Sequence, residues 1–136
     1  MKEQIFGFGS EHFDALKVLA LGSPPFGKRT TTLATGTHWR FPILRERLCT
    51  AEQSKRLVEL WNQLPTGEVA RCHVPGFAFQ LMLGEEPVFT AALCWQCNNV
   101  SFAGRLATVQ SRAFEASSDM AKQMLSLCQE VAGHDG

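Results

Sequence analysis

The chain has no long hydrophobic run, no excess of charge of either sign and none of the common catalytic signatures. Its longest apolar stretch near the N-terminus is Val18 to Leu21. A secretory signal needs a longer apolar core, and a membrane-crossing helix needs about 20 apolar residues. The expectation is a cytoplasmic chain with no membrane span. Lys+Arg and Asp+Glu both number 13, so the formal net charge is zero. That argues against a nucleic-acid binder held by a basic surface. It also leaves little self-repulsion near neutral pH, which favours a partner or an oligomer.

The catalytic motifs are missing one by one. No serine sits in a Gly-x-Ser-x-Gly elbow, and no His-Glu-x-x-His occurs. Gly7-Phe8-Gly9 lacks the rest of a dinucleotide fingerprint. Glu85 and Glu86 are adjacent in a turn-forming segment and read as a solvated tip rather than an acid–base pair. His12, His38 and His134 stand without partners at catalytic spacing. No catalytic residue and no organic cofactor is expected.

What is present suits one compact domain spanning 1–136. The length supports a core without staples, and 45% hydrophobic content is ordinary for a globular chain. No repeat or low-complexity tract occurs. Residues 1–37 give mixed signals. Phe13, Leu16, Leu19 and Ala20 follow a helical spacing after a cap candidate at Ser10, yet Val18 and Leu21 break it. Gly22-Ser23-Pro24-Pro25-Phe26-Gly27 interrupts any element, and Thr30-Thr31-Thr32 is β-prone. A short strand is expected at 39–44, confined to an edge by Pro42.

From residue 50 the pattern is cleaner. Thr50 and Gln53 stand at capping-box spacing, and Leu57, Leu60, Trp61 and Leu64 make an i, i+3, i+4, i+7 stripe. A helix is therefore expected over 51–64. Strands are expected at 68–74, 77–83, 88–95 and 99–104, joined by connections short enough for antiparallel neighbours. Ser117 or Ser118 caps a last helix over 118–132, with Ala121, Met124, Leu125, Cys128 and Val131 as its stripe and Gly133 as its stop. The fold class is α+β: an antiparallel β-meander of about four or five strands with helices packed on one face.

Five cysteines carry most of the chemical interest. Cys72-His73-Val74-Pro75 is followed by Cys94-Trp95-Gln96-Cys97. Cys72, His73, Cys94 and Cys97 make a candidate zinc set of soft and borderline ligands. Adjacent strand residues point to opposite faces, so Cys72 and His73 both ligate only if Pro75 distorts the strand. The Cys-x-x-Cys pair also admits a thiol oxidoreductase, although that chemistry prefers a helix N-terminus and this pair ends a strand. The third reading is that Cys72 and Cys94 are small core residues. Cys128 lies on a helix stripe and Cys49 has no partner at ligand spacing. A second candidate set, for a protein partner, is Trp39, Arg40, Phe41 and Arg45, which supply aromatic and arginine anchors. For single-stranded nucleic acid the positive groove is too weak.

The Cys72-His73-Val74-Pro75 segment, the strand from Phe77 and Ala92-Leu93-Cys94-Trp95-Gln96-Cys97-Asn98-Asn99-Val100 together resemble a loose group of small bacterial proteins. In that group a Cys-x-x-Pro-Arg-His/Tyr segment precedes a hydrophobic-Cys-Trp/Phe-x-Cys-Asn-Asn-like segment. The likeness covers about 40 to 136, and the group's arginine after the proline is Gly76 here. A role tied to that arginine does not carry over. The resemblance implies a compact α+β domain and brings no activity with it. By size and company such proteins are similar to immunity proteins that neutralise a toxin encoded in a neighbouring gene. The expected function is therefore non-enzymatic protein binding. Structural or regulatory zinc binding is the alternative, and a thiol-dependent enzyme the second alternative.

Overall fold

A computed structural model describes residues 13–22, 31–35, 39–68, 75–104 and 110–133. In chain order they form β1 (Ala15–Leu21), β2 (Thr32–Thr35), β3 (Trp39–Leu48), α1 (Ala51–Gln63), β4 (Phe77–Leu83), β5 (Glu86–Cys94), β6 (Asn99–Gly104), β7 (Gln110–Ala113) and α2 (Asp119–Ala132). The strands make one seven-stranded sheet in the order β2-β3-β1-β4-β5-β6-β7. All its pairings are antiparallel. The α+β class is as expected, but the sheet is wider than four or five strands. The strand expected at 68–74 lies almost wholly outside the described residues.

The extra width comes from the first 50 residues. The helical spacing around Leu16 is in fact strand β1, inserted between β3 and β4. Leu16, Val18 and Ala20 join the helix-covered core, while Leu19 and Leu21 pack on the opposite face. A strand buried on both faces loses its polar alternation and reads as an unbroken apolar run. Val18, Leu19, Ala20 and Leu21 are four consecutive buried residues for that reason, which is why Val18 and Leu21 interrupted the helical spacing.

β3 runs four residues past its expected end because it changes neighbours along its length. β2 pairs with it over 39–42, and β1 pairs with it over 43–48. Pro42 sits at the crossover. A proline has no N–H to give a ladder, but its carbonyl still accepts from Gly22 N at 2.9 Å. The edge position expected from Pro42 is therefore corrected: β3 lies between β2 and β1, and Pro42 is accommodated because at its position it accepts a bond without having to donate one.

Both helices lie on one face. The Thr50 hydroxyl accepts from Gln53 N, and the Gln53 side chain accepts from Thr50 N, the reciprocal cap read from the spacing. Trp61 is fully buried and stands edge-on to Phe79, Phe89 and Phe102 at centroid distances of 5.1, 5.8 and 5.8 Å. In α2, Ser118 caps the N-terminus and the stripe is Ala121, Met124, Cys128 and Ala132. Leu125 and Val131 are only half-buried, so α2 is rotated from its expected face. It touches α1, β1 and β3 together. Across the helix pair Gln53 donates to Glu130 at 3.0 Å and Arg56 donates to Gln123. Those pairings run the helices antiparallel.

Candidate functional site

The second cysteine pair lies in the turn between β5 and β6. β5 ends at Cys94 and β6 starts at Asn99. Asn98 takes φ 55°, the left-handed region that asparagine tolerates better than most residues. Cys97 N–H donates to Cys94 Sγ at 3.1 Å, so the first sulfur is tucked beneath the backbone of the second cysteine. The turn is moored on two sides. Trp95 Nε1 donates to Ala121 O at 2.8 Å, and Phe114 N donates to Asn98 O at 2.9 Å. The Trp95 ring also meets Phe77 and Phe114 edge-on.

Cys94 and Cys97 are both buried. Their oxidation states differ. Cys97 is disulfide-bonded, whereas Cys49, Cys94 and Cys128 are thiols. A disulfide is uncommon in a reducing compartment except at redox sites. Cys72 and His73, the other members of the candidate zinc set, lie outside the described residues. Among the described residues no group of three or more His, Cys, Asp or Glu side chains is placed to hold a metal.

The remaining thiols are neighbours of a quieter kind. Burial pushes the Cys49 thiol up to about 11, partly offset by a hydrogen bond with Ser54. Burial raises the Cys128 thiol further, and adjacent Cys49 adds to it. A thiol held protonated in apolar surroundings is a poor nucleophile.

The candidate partner-binding set is dispersed by the fold. Trp39 lies in β3, with its side chain outside the described residues. Arg40 is exposed and its Nε donates to Thr32 Oγ1 at 3.0 Å. Phe41 is buried with Leu19, Leu21, Ala78 and Ala92 on the face away from the helices. Arg45 turns toward α2, donating to Ala132 O at 2.7 Å and to Gly133 O at 3.2 Å. Phe41 and Arg45 are thereby engaged within the domain.

The exposed surface of β3 lies a few residues farther on. Leu44 is 51% exposed and Leu48 64% exposed, with Glu46 and Arg47 also at the surface. β1 occupies one side of 43–48. On the other side, β2 ends its cover with the bond from Ile43 N to Thr31 O. Beyond it no strand among the described residues pairs with the outer edge of 44–48. Arg47 reaches back to the Glu46 carbonyl at 2.7 Å, and Lys17 pairs with the Glu46 carboxylate at 3.5 Å. Sequence reasoning missed most of this stretch because it ended the strand at Leu44. The alternation of Leu44, Glu46 and Leu48 was the available signal.

A groove of about 780 Å³ runs between α1 and α2, lined by Gln53, Arg56, Lys122, Gln123 and Glu130 among others. Its polar groups bond largely to one another across the helices. Among the described residues no helix is long and apolar enough to cross a membrane. Comparison of the chain with protein-family models, curated proteins and solved structures yields no match.

Proposed function

We propose that the domain is a non-enzymatic protein-binding module that docks a partner along the outer edge of β3. The observation that carries this reading is the stretch 44–48, where two large leucines are exposed on a strand whose inner side pairs with β1 and whose outer side meets no strand among the described residues. Such an edge offers unpaired N–H and C=O groups in a row, and an extended segment of another chain completes them. Main-chain bonds supply affinity, and the side chains at alternate positions supply selectivity. Leu44 and Leu48 ask for apolar side chains opposite. Arg47, with Arg40 nearby on the same strand, favours an acidic residue in the incoming segment. The Arg47 side chain on the Glu46 carbonyl is a partial guard against indiscriminate pairing.

An immunity-type role fits this surface, with a toxin from a neighbouring gene as the first partner to test. The experiment is a pull-down from the native cell with the wild-type chain and with the double variant Leu44→Lys, Leu48→Lys. Both positions are exposed, so the variant should keep its melting profile. The wild type should recover a stoichiometric partner, and the variant should lose it. A complex unaffected by the double change would refute the edge as the docking site.

The zinc reading draws on one specific feature, the N–H to Sγ bond that pre-shapes the Cys94–Cys97 turn. It requires Cys97 as a thiolate, so it competes with the disulfide. Metal analysis of the reduced, untagged protein tests it, and less than about one zinc per chain would count against a structural site.

A further inference from the structure

We infer that the outer face of the α1–α2 pair docks a second copy of this chain, helix antiparallel on helix, through a charge pattern that is its own complement. The inference uses no residue of the β3 edge and stands apart from it.

The groove of about 780 Å³ between the helices carries its charges at opposite ends. The helices run antiparallel, with Gln53 bonded to Glu130 and Arg56 to Gln123. Glu52 and Glu130 therefore share the end where α1 begins and α2 closes. Arg56 and Lys122 share the other end. All four side chains are exposed. Lys122 and Glu130 stand about 12 Å apart along the axis of α2, too far to pair within one chain. Neither Glu52 nor Lys122 makes an ion pair among the described residues. Arg56 reaches Glu59 only at 3.9 Å and keeps 48% of its side chain exposed.

A two-fold rotation reverses such a pattern end for end. An isologous contact sets the acidic end of one copy against the basic end of the other. Ser126 stands midway between Lys122 and Glu130, and Ser54 midway between Glu52 and Arg56. The two cross-helix bonds bracket both serines, so the midpoints lie at about the same height. One two-fold axis crossing the helices at that height satisfies both. It pairs Lys122 with Glu130 of the second copy and Glu52 with Arg56 of the second copy, each pair occurring twice by symmetry. Ser126 is small and exposed, so α2 can approach its symmetry mate closely at the crossing point. Half-buried Leu127 beside it supplies apolar contact on the groove floor. A formal net charge of zero leaves no long-range repulsion between copies. The helices have 13 and 14 residues, so the face measures about 20 Å by 20 Å. That is the small end of specific contacts, and the expected Kd is about 10–100 µM, weakening with salt.

Sedimentation velocity tests this on the full chain, from about 1 µM to about 500 µM, at low and high salt. Only samples free of intermolecular disulfide on a non-reducing gel are scored. The wild type should pass from monomer to dimer at low salt, and about 0.5 M salt should weaken the dimer about tenfold. Lys122→Glu and Glu130→Lys should each weaken it at least about tenfold at unchanged Tm, because both positions are exposed. Mixed one to one, the two variants should associate again, since each supplies the charge the other has lost. The double exchange Lys122→Glu, Glu130→Lys in one chain should restore self-association, which guards against a folding artefact in either single variant. A wild type that stays monomeric at the highest concentration would overturn the proposal. Single variants that dimerise like the wild type would overturn it too, as would a mixture that remains monomeric.

Discussion

Arg45 separates a structural account from a binding one, and its replacement by methionine gives a measurable difference. The guanidinium bonds the carbonyls of Ala132 and Gly133, the last acceptors of α2. Helix C-termini leave four carbonyls without helical donors, and they carry the negative end of the helix dipole. α2 has no basic residue of its own in its last turn, so a strand residue supplies the charge. Methionine keeps the apolar stem and removes both bonds. A hydrogen bond from a charged group contributes about 1.5–3 kcal/mol when buried. Arg45 is half-buried, and water replaces part of that. The dipole term adds about 0.3–1 kcal/mol. A net loss of about 1–2 kcal/mol is expected for Arg45→Met after discounting for solvent. For a chain of this size that lowers Tm by about 3–10 °C. The assay is thermal and urea unfolding followed by circular dichroism, with the disulfide kept intact so that both samples share one unfolded state. Arg47→Met is the control, because Arg47 reaches only its neighbour's carbonyl at the surface. It should shift Tm by no more than about 1–2 °C. If Arg45→Met melts like the wild type yet loses the partner, Arg45 is a binding anchor and the helix-end account is wrong.

Trp61→Ala should destabilise by about 3–5 kcal/mol, since it removes a fully buried ring in edge contact with three others; a loss under 2 kcal/mol in urea would show that the core collapses into the space. Gly67→Ala should prevent normal closure of the segment after α1, because a Cβ there would stand 2.3 Å from Phe114 O; wild-type stability in the variant would refute that close approach. Cys49 should alkylate at pH 8 about a hundredfold more slowly than an unburied thiol, with the rate climbing toward pH 11 as the thiolate forms. Because the folded value lies above the unfolded one, its stabilising share is complete below the ordinary thiol value and fades as pH rises toward 11, which pH-dependent melting can follow.

Local sequence was enough wherever local physics decides. Thr50 with Gln53 and Ser118 with Gly133 define helix ends through bonds made within a few residues. The boundaries of α1, α2, β4 and β6 follow from those signals and from short turns. The stripe Leu57, Leu60, Trp61 and Leu64 is likewise the buried face of α1 and its C-cap. Tertiary structure decided the rest. β1 is a strand because β3 and β4 flank it and bury both its faces, a circumstance no 3.6-residue count around Leu16 can detect. Phe41 became core and Arg45 a helix tie, since the second face of the sheet and the end of α2 assemble from residues far apart in sequence. Burial, not residue type, sorts the cysteines. Cys49 and Cys128 share an apolar environment across the β3–α1 junction and α2, whereas Cys94 sits under a backbone N–H beside a disulfide. The composition supplied five sulfurs and the Cys-x-x-Cys spacing; that Cys49 and Cys128 are held as thiols follows from burial between strand and helices, which only the folded sheet and helices provide.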